Sequence, residues 1–319
     1  MFANDNLALR RGEEGDFDLP AQNEFISPDM LQSVTELKPV TMAAFTLVEL
    51  LLVCVVIAIL VGLLMPVLAR AKTRSQGGYC LNNVRQMTLA WTMYAGDNSG
   101  CFPANEESQA AADSDLPGWV KGNLDYSGSP DDTNISFLIN PQYALLGSYL
   151  QSPGVFKCPS DNSLNYGQSG VPRVRSYSMN QAVGLNASGT PDGQGAWLPA
   201  PAFRVYFKEG DVVNPGPANL WLLTEESPDS INDAGFAFVM PPSAIVTKWE
   251  DVPSKCHGNT CPFSFADGHV ETHRWLWPQV IPAVTYQELN KPLYALADPD
   301  ILWVARHTSV PANGQALPY

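Results

Sequence analysis

From Phe45 to Leu68 the chain is apolar almost throughout, and these 24 residues carry a single charge, Glu49. About 20 such residues suffice to cross a bilayer core as a helix, and this stretch would measure about 36 Å. From Ala69 to Tyr94 the pattern turns amphipathic. Leu81, Val84, Met87, Leu89, Trp91 and Tyr94 recur at roughly helical spacing, so the helix is expected to continue. Gly77-Gly78 is its expected weak point, because Gly costs about 1 kcal/mol against Ala in a helix. The turn formers Gly96-Asp97-Asn98-Ser99-Gly100 then end it.

Beyond the helix, residues 104–250 alternate short apolar runs with Pro, Gly, Asn and Asp. Leu220–Leu223, Phe236–Val239 and the alternating Phe203–Phe207 read as strands, and Pro141–Leu150 as a short helix. Phe263–Phe265, the turn Ala266-Asp267-Gly268 and a return from His269 to Trp277 read as a hairpin, with Asp-Gly at a favoured turn. The pattern predicts an α+β fold: a long N-terminal helix, half membrane and half amphipathic, packed on an antiparallel β-sheet head rich in loops. Its divisions are 1–44, 45–69, 70–98 and 99–319.

Composition narrows the classes. With 45% hydrophobic residues the chain can bury a core. A formal charge of −14 argues against nucleic acid as a partner, since phosphate binding needs a concentrated basic surface. The 27 Pro and 24 Gly indicate many turns.

Glu49 sets the apolar stretch apart from a plain anchor. An unpaired carboxylate in hydrocarbon costs at least about 2.5 kcal/mol, so it calls for a partner. Ala44-Phe45-Thr46-Leu47-Val48-Glu49-Leu50-Leu51 resembles the class III signal of type IV pilins and type II secretion pseudopilins. The resemblance implies that a prepilin peptidase cuts between Ala44 and Phe45 and methylates the new terminus. It further implies that Glu49 pairs with the N-terminal amine of a neighbouring pilin-like subunit, and that Pro66 loosens the helix. One departure is Ala44, where the family usually carries Gly. Residues 1–44 would then be a leader, and a start at Met30 would shorten it to 15 residues. Without residues 1–44 the chain keeps a charge near −9. Arg70, Lys72 and Arg74 flank the far end of the span, where a positive-inside bias alone would reverse the topology. The family's topology, adopted here, puts the leader in the cytoplasm, the helix in the inner membrane and the head outside.

His257, nine residues and then Asp267-Gly268 resemble the H-x9-DG signature of prepilin-type processing-associated proteins. The strings Phe156–Asp161 and Ser176–Asn180, and the segment Cys80–Pro103, resemble the same group. His257, Asp267, His269, His273, Cys256 and Cys261 invite a metal reading. On one strand face, however, His269 and His273 stand roughly 13 Å apart and cannot share an ion. The reading favoured is a structural His257–Asp267 contact, no metal or other cofactor, and a local disulfide between Cys256 and Cys261. Cys54 falls inside the apolar helix, and the five remaining cysteines are odd in number, so at least one thiol stays unpaired.

No recognisable catalytic motif is present. The expected role is a pseudopilin-like structural subunit, not an enzyme. The alternatives are a tethered binding module for exported protein or glycan, with Trp275 and Trp277 as stacking residues, and a hydrolase built on His257 and Asp267.

Overall fold

The structure, a computed structural model, describes residues 45–105, 116–184, 198, 202–289 and 291–319. Ala44 and the rest of the expected leader lie outside them. The chain divides into two compact units, Met1–Ile59 and Leu60–Tyr319.

Helix α1 covers Leu47–Asp97. Its first turns, the described part of the first unit, are exposed at every position from Phe45. Val53, Val55, Val56, Ile57 and Ile59 are β-branched and of lower helix propensity in water; a hydrocarbon surrounding would favour the helix, because there a backbone must satisfy its own hydrogen bonds. One stretch of α1 is long and apolar enough to cross a membrane.

In the second unit α1 runs on through Pro66, which cannot donate to the Gly62 carbonyl, and through Gly77-Gly78 without interruption. Cys80, Val84, Met87, Trp91 and Ala95 form one buried stripe at intervals of three and four residues. Leu89, expected among the docking positions, lies on the opposite, exposed face. Gly77 marks a close approach where a weak point was expected, since a Cβ there would come within 3.3 Å of the His257 Cβ.

The head is built on a five-stranded sheet. Its strands are β1 (Tyr177–Asn180), β2 (Trp221–Glu225), β3 (Gly235–Phe236), β5 (Thr260–Phe265) and β6 (Val270–Arg274), in the order β3-β1-β2-β5-β6. The sheet is mixed where an antiparallel one was expected. The two-residue edge strand β3 runs parallel to β1, and Phe236 meets Trp221 edge-on at 5.6 Å. The expected hairpin is β5–β6, paired from Thr260↔Arg274 to Ser264↔Val270.

Two expected elements differ. Phe203–Phe207 makes isolated bridges only, because Arg204 N–H donates to Val310 and Tyr206 N–H to Ala182, so no single neighbour receives a ladder. Pro141–Leu150 holds a 3-10 turn at Leu145–Ser148, following the one-turn helix α2 at Ser136–Ile139. The pattern also left out a small sheet of β4 (Val246–Trp249) with β7 (Leu293–Leu296), and helix α3 (Pro299–Thr308). Asp298 caps α3 by accepting from the Asp300 N–H at 2.8 Å, with Pro299 in the first turn. Its last residue, Thr308, accepts from Trp221 Nε1 at 2.9 Å.

The core is aromatic. Phe263 meets Trp221 and Trp275, and Trp275 meets Trp249, at centroid separations of 5.7–6.1 Å. Trp275 is therefore a core residue whose Nε1 donates to Ser254 O, and it cannot form an exposed sugar platform with Trp277.

Candidate functional site

Two regions carry chemistry. At the start of α1, Thr46 stands just before the helix and Glu49 sits in its first turn. Glu49 Oε2 accepts from Thr46 N at 2.9 Å and from Thr46 Oγ1 at 2.8 Å, while Glu49 N–H donates to Thr46 Oγ1 at 3.3 Å. This is a reciprocal capping box. The local reason for Thr-x-x-Glu is thus plain: it satisfies orphan N–H groups at the helix start. It also holds the carboxylate at that end, beside exposed Phe45.

The second region gathers residues far apart in sequence. The H-x9-DG residues themselves separate. His257 precedes β5 and Asp267-Gly268 follow it, so about 17 Å of strand lies between them. The expected His257–Asp267 contact is therefore not made. Asp267 accepts from the His269 N–H at 3.1 Å and pairs with its ring, while Gly268, at φ +90°, donates to Phe265 O and closes the turn. His273 instead meets Asp300 at 3.1 Å.

His257 turns inward. Its Nε2 lies 3.0 Å from Glu225 Oε2 at the end of β2 and 3.3 Å from Cys158 Sγ. Cys158 Sγ is 2.9 Å from Cys80 Sγ on α1. One donor atom from each of Cys80, Cys158, Glu225 and His257 lies within 4.8 Å of all the others, and all four residues are buried.

Surrounding groups orient this set. Ser160 N–H donates to Cys158 Sγ at 3.3 Å, and Ser160 Oγ sits 3.5 Å from His257 Nδ1. Cys256 Sγ donates to Glu225 Oε1 at 3.0 Å. Gln76 and Asn83 on α1 donate to the carbonyls of Pro159 and Lys157, which fixes the helix against the loop that carries Cys158.

Charge at the site is strongly perturbed. Burial pulls the His257 imidazole down, but hydrogen bonds to Cys256 and Glu225 outweigh it and raise its pKa to about 10. Burial pushes the Cys158 thiol well up. At Cys80 the hydrogen bond with Cys158 pulls down, yet burial and the Glu225 charge carry the balance upward. These shifts favour the protonated form of His257 and keep the protons on both thiols when protein groups act alone. A donor set of two sulfurs, one imidazole nitrogen and one carboxylate oxygen is of the kind that binds zinc.

The expected Cys256–Cys261 disulfide is not formed, and both thiols are free. Cys261 points into the sheet toward Thr224 and the Glu225 carbonyl, whereas Cys256, on the preceding loop, reaches the Glu225 carboxylate.

Sequence reasoning singles out the strings holding Cys80, Cys158 and His257 separately and does not select Glu225. The available signal was that each string carried at least one ligand-type residue, Cys80 within the helix and Cys158 and His257 in loops. No protein-family model, curated protein or solved structure matches the chain.

Proposed function

We propose that this protein is a pilin-like subunit of the pseudopilin type, anchored by α1 in the inner membrane with its head outside. A prepilin peptidase would release Phe45, and the subunit would join others in a secretion-type or pilus-type fibre. The observation that carries this reading is the combination at the start of α1. A helix apolar on every side begins two residues after Phe45, with one carboxylate held in its first turn. A plain anchor explains the apolar surface and leaves the carboxylate without a purpose beyond capping.

In this reading the Glu49 carboxylate exchanges Thr46 for the N-terminal amine of a neighbouring subunit. Desolvation makes an unmatched charge costly, so the pairing favours polymer over single subunit and sets the register. The role is assembly, with no catalytic turnover and no nucleic-acid partner.

Glu49→Ala should leave membrane insertion intact and abolish recovery of the subunit in sheared fibres or in crosslinked oligomers. Glu49→Gln separates the two roles, because it can retain the cap while losing the charge. Normal assembly of the Gln variant would contradict the proposal.

A further inference from the structure

We propose that Cys80, Cys158, Glu225 and His257 form a structural zinc site that fastens the second half of α1 to the head. The inference stands independently of the pilin-like reading.

Four observations carry it. The donors arrive from four separate segments: α1, the loop after Phe156, the end of β2 and the loop before β5. Packing alone gives no reason to bury a carboxylate, an imidazole and two thiols at one point, since burying charge is costly without a compensating partner. Separations also fit. Tetrahedral bonds of ordinary zinc length place donor atoms about 3.3–3.8 Å apart, so the contacts of 2.9, 3.0 and 3.3 Å would spread and the widest separations, within 4.8 Å, would close by about 1 Å.

The third observation is the surrounding shell. Ser160 N–H points at Cys158 Sγ, Cys256 holds the far oxygen of Glu225, and Ser160 Oγ faces the far nitrogen of His257. Ligands of bound metals characteristically have partners of this kind. The fourth is Gly77, whose missing side chain lets the helix approach His257 one turn before Cys80.

Binding replaces the two thiol protons and the Nε2 proton of His257, leaving Nδ1–H to face Ser160. The products are Zn2+ held by two thiolates, a neutral imidazole and a carboxylate, with three protons released. A Cys80–Cys158 disulfide is the competing outcome, and it would leave the convergence of His257 and Glu225 unexplained.

The test uses the full chain, extracted from membranes in detergent without chelator. Elemental analysis should find about one zinc per chain. Cobalt(II) loaded in its place should give thiolate charge-transfer absorption that zinc displaces. That absorption should vanish in Cys158→Ser and persist in Cys101→Ser, which alters an exposed cysteine outside the cluster. Cys256→Ala, which removes the outer contact to Glu225 and leaves all four donors in place, should weaken zinc binding by about 10–100-fold. Because Cys158→Ser could misfold, alkylation of the unaltered chain provides the second arm. Zn2+ should protect Cys80 and Cys158, and chelator should expose them. A Cys80–Cys158 disulfide in non-reducing peptide maps would overturn the proposal, as would alkylation rates unchanged by zinc.

Discussion

The two halves of α1 share one backbone and show opposite surfaces. From Phe45 to Leu68 every residue is exposed, and the most apolar window reaches a mean hydropathy of 3.2 with none of it buried. From Cys80 to Ala95 one stripe is buried, Cys80, Val84, Met87, Trp91 and Ala95, while Leu89 and Met93 on other faces stay exposed. A helix apolar all round requires an apolar environment on every side, such as lipid or a bundle of like helices. A helix with one stripe requires one partner, and here the partner is the head core. The contrast shows where the head's stability resides: in the stripe, and outside the apolar half.

The largest expected effect tests that contrast directly. Trp91 is 1% exposed and packs on Phe102 at 4.3 Å. Trp91→Ala should cost about 3–5 kcal/mol of head stability in denaturant unfolding of the detergent-solubilised chain. Leu63→Ala, at a position 67% exposed, should change it by less than about 0.5 kcal/mol. Equal losses at the two positions would erase the distinction.

Acid should separate the regions next. At Asp300 burial pushes the carboxyl upward, but hydrogen bonds from His273 and the N–H groups of Leu276 and Trp277 outweigh it and hold the pKa below 3.8. A depressed folded pKa contributes stability above the unfolded value, which is lost as pH falls toward the folded one. Head stability should therefore drop below about pH 4. Asp300→Asn should cost about 1.5–3 kcal/mol at neutral pH and flatten that acid limb, as read from unfolding midpoints across pH. An acid limb as steep in the variant as in the parent would remove Asp300 from the account.

The smallest effect is the sharpest, because it compares neighbours. A Cβ on Gly78 meets nothing within 4 Å, so Gly78→Ala should stabilise by about 0.5–1 kcal/mol through helix propensity alone. At Gly77 the same change presses on His257, so the gain should be smaller or reversed. Equal gains at Gly77 and Gly78 in thermal unfolding would show that the helix approaches His257 less closely than described.

How far the sequence announced all this depends on the range of each interaction. The apolar stretch, the hairpin at Asp267-Gly268 and the strand at Leu220–Leu223 were legible because periodicity and turn chemistry are local. Helix α3 was missed although Asp298-Pro299 is a cap followed by a first-turn Pro, a signal obscured by the Pro-rich surroundings. The buried cluster was illegible for a different reason. Cys80 and Cys158 are brought together by α1 docking on the head, and no spacing rule spans such distances. Restricting the search to ligands near His257 in sequence produced a His257–Asp267 contact that β5 forbids, since its two ends cannot meet.

The central claim is that the apolar half of α1 begins, in the working protein, at Phe45. Intact mass and N-terminal peptide mass of the chain isolated from membranes test it most directly. The account predicts a mature chain whose first residue is N-methylated Phe45. A chain still carrying residues ahead of Phe45, in membranes with an active prepilin peptidase, would contradict it and reduce the first half of α1 to a tether.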